Sequence, residues 1–395
     1  MKTALVHDWL LSSVGGSENC LREIYSLFPS PVYTLSWNQD AFKQTELEDA
    51  VVHSSFIEKI PWAGKKFKSY LLPLFPLAIE QFNLNEYDLI ISSSHCVAKS
   101  ALTNPDQLHI CYCSSPMRYA WDLSFDYFQE AGLNRGLKGF LAKIALNYLR
   151  GWDVHTSNRV DHFIAISHFV AKRIWRVYRR EADVIYPPVN TDFFRPGGKK
   201  EEYYLAASRL VSYKKIDLLV QAFSSMPDRK LIVVGDGPEM DKIKKLAAPN
   251  IELLGYQSDS ALLDLMQKAK AFVFAAIEDF GIVPLEALAT GTPVIALRKG
   301  GVAELIDDNE TGIFFEEQTV SSIRDAIERF ERAGEWDPNL LRSRALYFSK
   351  DRFRKEFKHY IEEKMIRHQE KRDESPHFGR RRRDASLAPL TPRSS

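Results

Sequence analysis

The chain has 395 residues, 53 Lys and Arg against 52 Asp and Glu, and a formal net charge of +1. Such a length exceeds what one core usually holds and predicts two domains, while the balanced charge excludes a whole-molecule field for nucleic acid. Four cysteines, Cys20, Cys96, Cys111 and Cys113, are too few and too unevenly spaced for a disulfide framework and point to a reducing cytoplasm. No run offers the roughly 18 to 20 apolar residues that crossing a membrane needs.

The N-terminus, MKTALVHDWLLSSVGG, reads as a first strand (ALVHDWL, 4–10) and not as a leader, because His7 and Asp8 interrupt its apolar run. GGSE follows. Gly15 and Gly16 let a backbone approach a ligand closely, and Ser17 is the expected N-cap of the helix after it. DLIISSS (88–94), HICYCSS (109–115) and HFIAIS (162–167) are further strands, with Cys111 and Cys113 on one face of theirs as ordinary packing. Between them lie two stretches that mix Lys and Arg with Leu, Phe and Trp: KKFKSYLLPLFPLAIEQF (65–82) and RGLKGFLAKIALNYLRGW (135–152). That composition suits helices lying on an anionic membrane and equally suits helices packed on their own sheet.

YPPVNTDFFRP (186–196) carries three prolines and predicts a linker. The strand-and-helix rhythm then restarts with YYLAAS (203–208), KLIVVGDG (230–237), IELLGY (251–256), AFVFAA (271–276) and PVIAL (293–297). Strands alternating with helices predict an α/β fold of two doubly wound Rossmann-like domains facing a central cleft. The expected boundaries are 1–188, 189–345, a helix over 346–366 that crosses back to the first domain, and a disordered basic tail over 367–395. The tail's RRRR run (380–383) reads as a solvated charge run or as electrostatic membrane attachment.

EDFGIVPLEALATGTPVIALRKGG (278–301) is the most informative stretch. AFVFAA ends a strand, EDFG turns, a short helix spans about 282–290 with Pro284 in its first turn, and Gly291 stops it. The N–H groups near Gly281, Ile282 and Val283 then face outward, where an anion such as a diphosphate is stabilised. Glu278 and Glu286 beside an anion site suit hydroxyl groups. Phosphates and vicinal hydroxyls together describe a nucleotide sugar. By spacing alone, the pair is equally a loop carboxylate and a first-turn carboxylate in favourable contact with the helix dipole.

This stretch resembles the E-x7-E signature of glycosyltransferase family 4, retaining transferases of the GT-B fold, and the likeness extends through FG, GTPVIA and GGVAELI. VHDW, GGSE and SPMRYAWD are similar to bacterial mannosyltransferase-like members that act in surface polysaccharide assembly. The resemblance implies that Glu286 grips the donor ribose, that Glu278 approaches the transferred sugar, and that Phe280, Gly281, Ile282 and Val283 supply contacts beside it. ASRLVSYKK resembles the family's phosphate clamp and places Arg209 and Lys214 on the pyrophosphate, where two cations stabilise a departing diphosphate. Without the family both are exposed positions before a helix. Gly235 of GDGPE resembles the turn near the nucleotide, and Gly15 and Gly16 the loop between donor and acceptor.

Arg118, Tyr119 and Trp121 are acceptor-side candidates that could equally cover the core. Ser114 is a departure, since relatives carry a histidine there against the donor sugar. A hydroxyl can hydrogen-bond a sugar but cannot serve as a cation or a proton shuttle near neutral pH. The sequence contains no Asp-x-Asp triplet. The implied activity is metal-independent and needs no cofactor: transfer of mannose from GDP-mannose, or of a sugar from a UDP donor, to a lipid-linked or polysaccharide acceptor. Cytoplasmic location, with peripheral attachment to the inner face of the cell membrane, follows as an expectation. A nucleotide-sugar-binding protein with little transfer is the alternative that Ser114 raises.

Overall fold

A computed structural model describes residues 2–13, 15–60, 71–122, 124–125 and 135–374. The nine apolar runs all become strands of two parallel sheets. In the first, β1 (Thr3–His7), β2 (Val32–Thr34), β3 (Val52–Ser54), β4 (Leu89–Ser94), β5 (Leu108–Cys113), β6 (His162–Ala165) and β7 (Ala182–Val184) lie in the order β3-β2-β1-β4-β5-β6-β7. The second holds β8 (Tyr203–Ala207), β9 (Lys230–Val234), β10 (Ile251–Gly255), β11 (Ala271–Phe274), β12 (Val294–Leu297) and β13 (Gly312–Phe315) in the order β10-β9-β8-β11-β12-β13. Every residue of β4, β5, β8 and β11 is buried, as parallel strands covered by helices on both faces require. Cys111 and Cys113 are buried free thiols in β5.

Each sheet therefore has one place where successive connections run off in opposite directions: between β1 and β4 in the first, and between β8 and β11 in the second. Loops leaving the carboxyl ends of such a strand pair diverge and open a crevice. The two crevices face each other. A Cβ on Gly16, which follows β1, would lie 2.9 Å from Ile282 Cδ1, which follows β11.

The halves are joined twice. Val189 N–H donates to Phe348 O at 2.8 Å, and Arg342 donates to Thr191 O, Phe194 O and Ala289 O. The helix Lys350–Glu374 then returns to the first domain, where fully buried Phe353, Phe357 and Ile361 join its core and Tyr112 meets both phenylalanine rings. Each of these side chains contributes on the order of 1.5–3 kcal/mol by burial. Glu23 of the helix Gly16–Leu27 is buried there and accepts from Lys350 and Arg354.

Three expectations change. The last helix runs past Ile366 to Glu374, because Arg367 pairs with Glu363 and the Arg372 guanidinium donates to Asp106 O, so charge pairs and an end contact replace the missing apolar period. The remainder of the tail, with RRRR, lies outside the described residues. Ser17 does not cap the first helix; the helix starts at Gly16, Asn19 N–H bonds Gly15 O, and the Ser17 hydroxyl donates to Glu18. In 65–82 the described part begins at Leu71, and its helix Phe75–Glu80 buries Phe75, Ala78 and Ile79 in the first domain's second core cluster instead of presenting them outward.

Candidate active-site cleft

At the β8/β11 crevice, glycines set the backbone. Gly235 (φ +130°) passes so close to Ser208 O that no side chain fits, and Leu210 N–H donates to Asp236 O at 2.9 Å. This holds the loop after β8 that carries Arg209 and Lys214. A Cβ on Gly300 would lie 2.6 Å from Glu278 O, and Gly301 N–H donates to that same oxygen at 2.8 Å, fixing the EDFG turn. Gly281, at φ +118°, caps the helix Ile282–Ala289 and leaves the N–H groups of Ile282 and Val283 without an acceptor among the described residues. The helix thus presents its positive end to the crevice.

Charged side chains converge there from both domains. Lys214 is ion-paired with Glu278, and both are half-buried. Burial, reinforced by Arg118, nonetheless lowers the Lys214 ammonium pKa to about 8. Arg118 reaches across from the loop after β5 to within 3.3 Å of Asp279 Oδ2 and lies over the Tyr213 ring at 5.3 Å. Arg173, on the helix His168–Tyr178, pairs with Asp279 and Asp122 and donates to the Ser115 hydroxyl at 3.1 Å. Ser167 donates to Asp279 O at 2.6 Å, and the Glu304 carboxylate accepts the His168 and Phe169 N–H groups at 2.9 and 2.8 Å. Three cations thus hold three carboxylates in the cleft. A diphosphate, bearing more charge than one carboxylate, can take over those cations.

Glu286 points into a separate part of the cleft, a cavity of about 190 Å³ lined also by Asn19, Arg22, Asn190, Asp259 and Lys350. Burial raises its carboxyl pKa to about 8, with Asp259 adding to the effect. Near neutral pH this favours the protonated carboxyl, able to donate as well as accept.

The expected residues are placed unequally. Glu278, Lys214, Arg118, Gly281, Ile282 and Val283 come together, and Gly16 faces them. Arg209 stands exposed beside this group without an acidic partner among the described residues. The Phe280 ring turns away into the core between Tyr186 and Phe348, leaving its backbone alone for a ligand. Ser114 sits half-buried at the edge of β5, its N–H bonded to Ser94 O at 2.8 Å. Trp121 is partly buried and tied toward the core: its indole N–H donates to Asp153 at 2.8 Å, and Asp153 is the fully buried partner of Lys99. Tyr119 packs with Trp121 against the same core cluster.

Sequence reasoning missed Asp279, Arg173 and Tyr213. Asp279 and Tyr213 adjoin residues already singled out, so their position was a usable signal. Arg173 lies in an ordinary amphipathic helix and had none. Among the described residues no group of three or more His, Cys, Asp or Glu is gathered as metal ligands would be.

Residues 14–193 match the family described as Glycosyltransferase Family 4, and residues 190–342 match Glycosyl transferases group 1. The two matches meet at the linker and cover both domains. The chain belongs to glycosyltransferase family 4. An uncharacterized glycosyltransferase of Methanocaldococcus jannaschii is 28% identical over 198 residues, 48% of this chain and 56% of that protein. A GDP-mannose-dependent alpha-(1-6)-phosphatidylinositol monomannoside mannosyltransferase of Mycobacterium tuberculosis is 32% identical over 195 residues, 41% of this chain and 50% of that protein. The chain thus spans about half the length of the curated relatives it matches. In fold it is similar to Anabaena HepE in complex with UDP (TM-score 0.68, 17% identity, 92% of this chain and 100% of that one). It is likewise similar to the lipopolysaccharide outer core galactosyltransferase WaaB (TM-score 0.65, 16% identity, 92% and 100%).

Proposed function

We propose that this family 4 protein is a retaining, metal-independent glycosyltransferase that moves mannose from GDP-mannose to a lipid-linked or polysaccharide acceptor. The observation that carries the reading is the convergence of Lys214, Arg118 and Arg173 with the open N-terminus of the helix Ile282–Ala289, a place built for a diphosphate leaving group. In this reading Lys214 and Arg209 hold the pyrophosphate, Glu286 takes the ribose hydroxyls in its cavity, and Glu278 approaches the transferred sugar. As the glycosidic bond breaks, charge gathers on the diphosphate, and fixed cations stabilise that state more than the intact donor. Mannose is favoured by the VHDW, GGSE and SPMRYAWD motifs and by the printed activity of the Mycobacterium relative. HepE holds UDP on the same fold, which keeps a UDP sugar as the competing donor.

A lipid-linked acceptor is supported by the helix Gly136–Thr156. Leu137, Phe140, Leu141, Ile144 and Tyr148 recur along one side of it and are all more than half exposed, with Lys138 and Lys143 exposed among them. A cationic helix with an open apolar stripe suits the surface of an anionic membrane, on the cytoplasmic side in this reading. No helix among the described residues is long and apolar enough to cross a membrane.

Calorimetric titration with GDP-mannose, UDP-glucose, UDP-N-acetylglucosamine, GDP and UDP tests the donor. Preference for GDP-mannose supports the reading. Preference for a UDP sugar refutes mannosyl transfer, and binding of none refutes nucleotide-sugar use altogether. If donor binds but no transfer is detected with the wild-type protein or with Ser114→His, the binding-protein alternative replaces catalysis.

A further inference from the structure

The helix His168–Tyr178 belongs to the first domain, yet its N-terminus is completed by the second. Ser167 is its ordinary N-cap, with a hydroxyl that accepts from Val170 N–H at 3.0 Å. The other two N–H groups of the first turn, on His168 and Phe169, go to Glu304 of the second domain, one to each carboxylate oxygen, at 2.9 and 2.8 Å. A carboxylate there meets both the unbonded donors and the positive end of the helix dipole. The Ser167 hydroxyl gives its own proton to Asp279 O at 2.6 Å, and five residues after His168, Arg173 pairs with the Asp279 carboxylate.

Glu304 is itself rigidly seated. It ends the short turn Gly301–Glu304, which is pressed onto the EDFG backbone: a Cβ on Gly301 would lie 2.4 Å from Asp279 O and 2.6 Å from Phe280 Cα. Arg344, on the helix Pro338–Leu346, donates to Glu304 O at 2.8 Å and to Leu305 O at 2.9 Å. From the linker comes Tyr186, whose ring lies against Phe280 and Phe348 and whose hydroxyl donates to Glu304 Oε2 at 3.1 Å. Burial and the carboxylate beside it push the Tyr186 phenol up to about 12, so it stays a donor. One carboxylate therefore touches the first-domain helix, the linker and the turn behind Glu278. An ion pair between two long side chains tolerates sliding, whereas two backbone N–H groups on one carboxylate fix both a distance and a direction.

We infer that Glu304 is a positioning residue, a pin that sets the angle between the two domains by capping the helix His168–Tyr178 across their interface, and so places the EDFG turn. Asp279 stands between Glu278 and Phe280, and its bonds to Ser167 and Arg173 depend on the helix lying where Glu304 holds it. Without Glu304 the helix keeps its Ser167 cap and its buried Val170, Ile174 and Tyr178. The loss then falls on the arrangement of the domains and not on the fold of either one. The kinetic consequence rests on the proposed role of Glu278 in transfer; the structural one does not.

The test compares wild type with Glu304→Ala, Glu304→Gln and, as a control, Asp307→Ala, which removes a carboxylate that pairs with the same Arg344 inside the second domain. Small-angle scattering and hydrogen exchange over residues 277–283 are measured on the free proteins. Donor hydrolysis is followed with the donor chosen by the titration above. Losing a helix cap corresponds to roughly a 2- to 30-fold shift in the equilibrium it supports. The expected result for Glu304→Ala is a larger radius of gyration, exchange over 277–283 faster by about that factor, and a fall in kcat that exceeds the change in KM. Glu304→Gln, which keeps one acceptor oxygen, falls between, and Asp307→Ala matches wild type. Scattering and exchange unchanged in Glu304→Ala, or the same changes in Asp307→Ala, would overturn the inference. So would an opened Glu304→Ala protein that hydrolyses donor at the wild-type kcat. If wild type binds no nucleotide sugar, the proposed function fails on its own, and scattering and exchange, which use no donor, still decide whether Glu304 pins the domains.

Discussion

The two crevices are built on the same plan and furnished with opposite chemistry. At β8/β11, glycines bring backbone against backbone, and the space is filled by Lys214, Arg118 and Arg173 with their carboxylates. At β1/β4, a single buried carboxylate, Asp8, accepts four N–H groups, and beside it the His7 ring nitrogens and the Ser93 hydroxyl are buried without a partner among the described residues. One side can neutralise a leaving group. The fold supplies two equivalent crevices, and the side chains alone furnish them differently.

Removing charge from the first crevice is the severest way to break this comparison. Lys214→Ala is expected to lower turnover by about 10²–10³, the usual cost of deleting one fixed charge-stabilising group, with steady-state transfer as the measurement; a loss confined to KM would show ground-state binding only. Glu286→Ala is expected to weaken donor binding by about tenfold or more, seen by calorimetry, because a hydrogen-bonded ribose loses its partner. Equal donor affinity would remove Glu286 from the ribose site.

The pH dependence sharpens the contrast. Lys214, with its pKa lowered to about 8, is charged below that pH and neutral above it, so phosphate binding weakens as pH rises through 8. Glu286, with its pKa raised to about 8, becomes a carboxylate over the same range and binds hydroxyls better. The two effects oppose each other in wild type. In Glu286→Gln only the lysine effect remains, and GDP affinity is expected to fall by up to about tenfold per pH unit between 8 and 9. A profile for this variant as flat as that of wild type would contradict the assignment. Gly16→Ala should do least: its Cβ meets only the end of the Ile282 side chain, which can rotate away, and a change of about threefold or less in transfer rate is expected.

Much of this was legible beforehand. All nine strands read from apolar runs exist, and the linker around 186–196 is where the domains join. The strands overlooked, β2, β3, β7 and β13, are three or four residues long, too short to show a period, and all four lie at or next to a sheet edge. The E-x7-E stretch identified its own turn, helix and stop because Gly281, Pro284 and Gly291 each constrain the backbone locally.

The residues that reach the cleft from a distance were not legible. Arg173 is separated from Asp279 by 106 positions, and His95 from Asp8 by 87, and nothing local distinguishes either from an ordinary surface or core residue. Trp121 shows the converse, since an aromatic beside a candidate loop turned inward once Lys99 and Asp153 had been buried together beneath it. Local conformation, strand rhythm and the family signature depend on neighbours along the chain, so the sequence by itself determined them. Which charges meet, which polar atoms stay unpaired and which pKa values move depend on distances and burial across two sheets, and only the tertiary structure decided those.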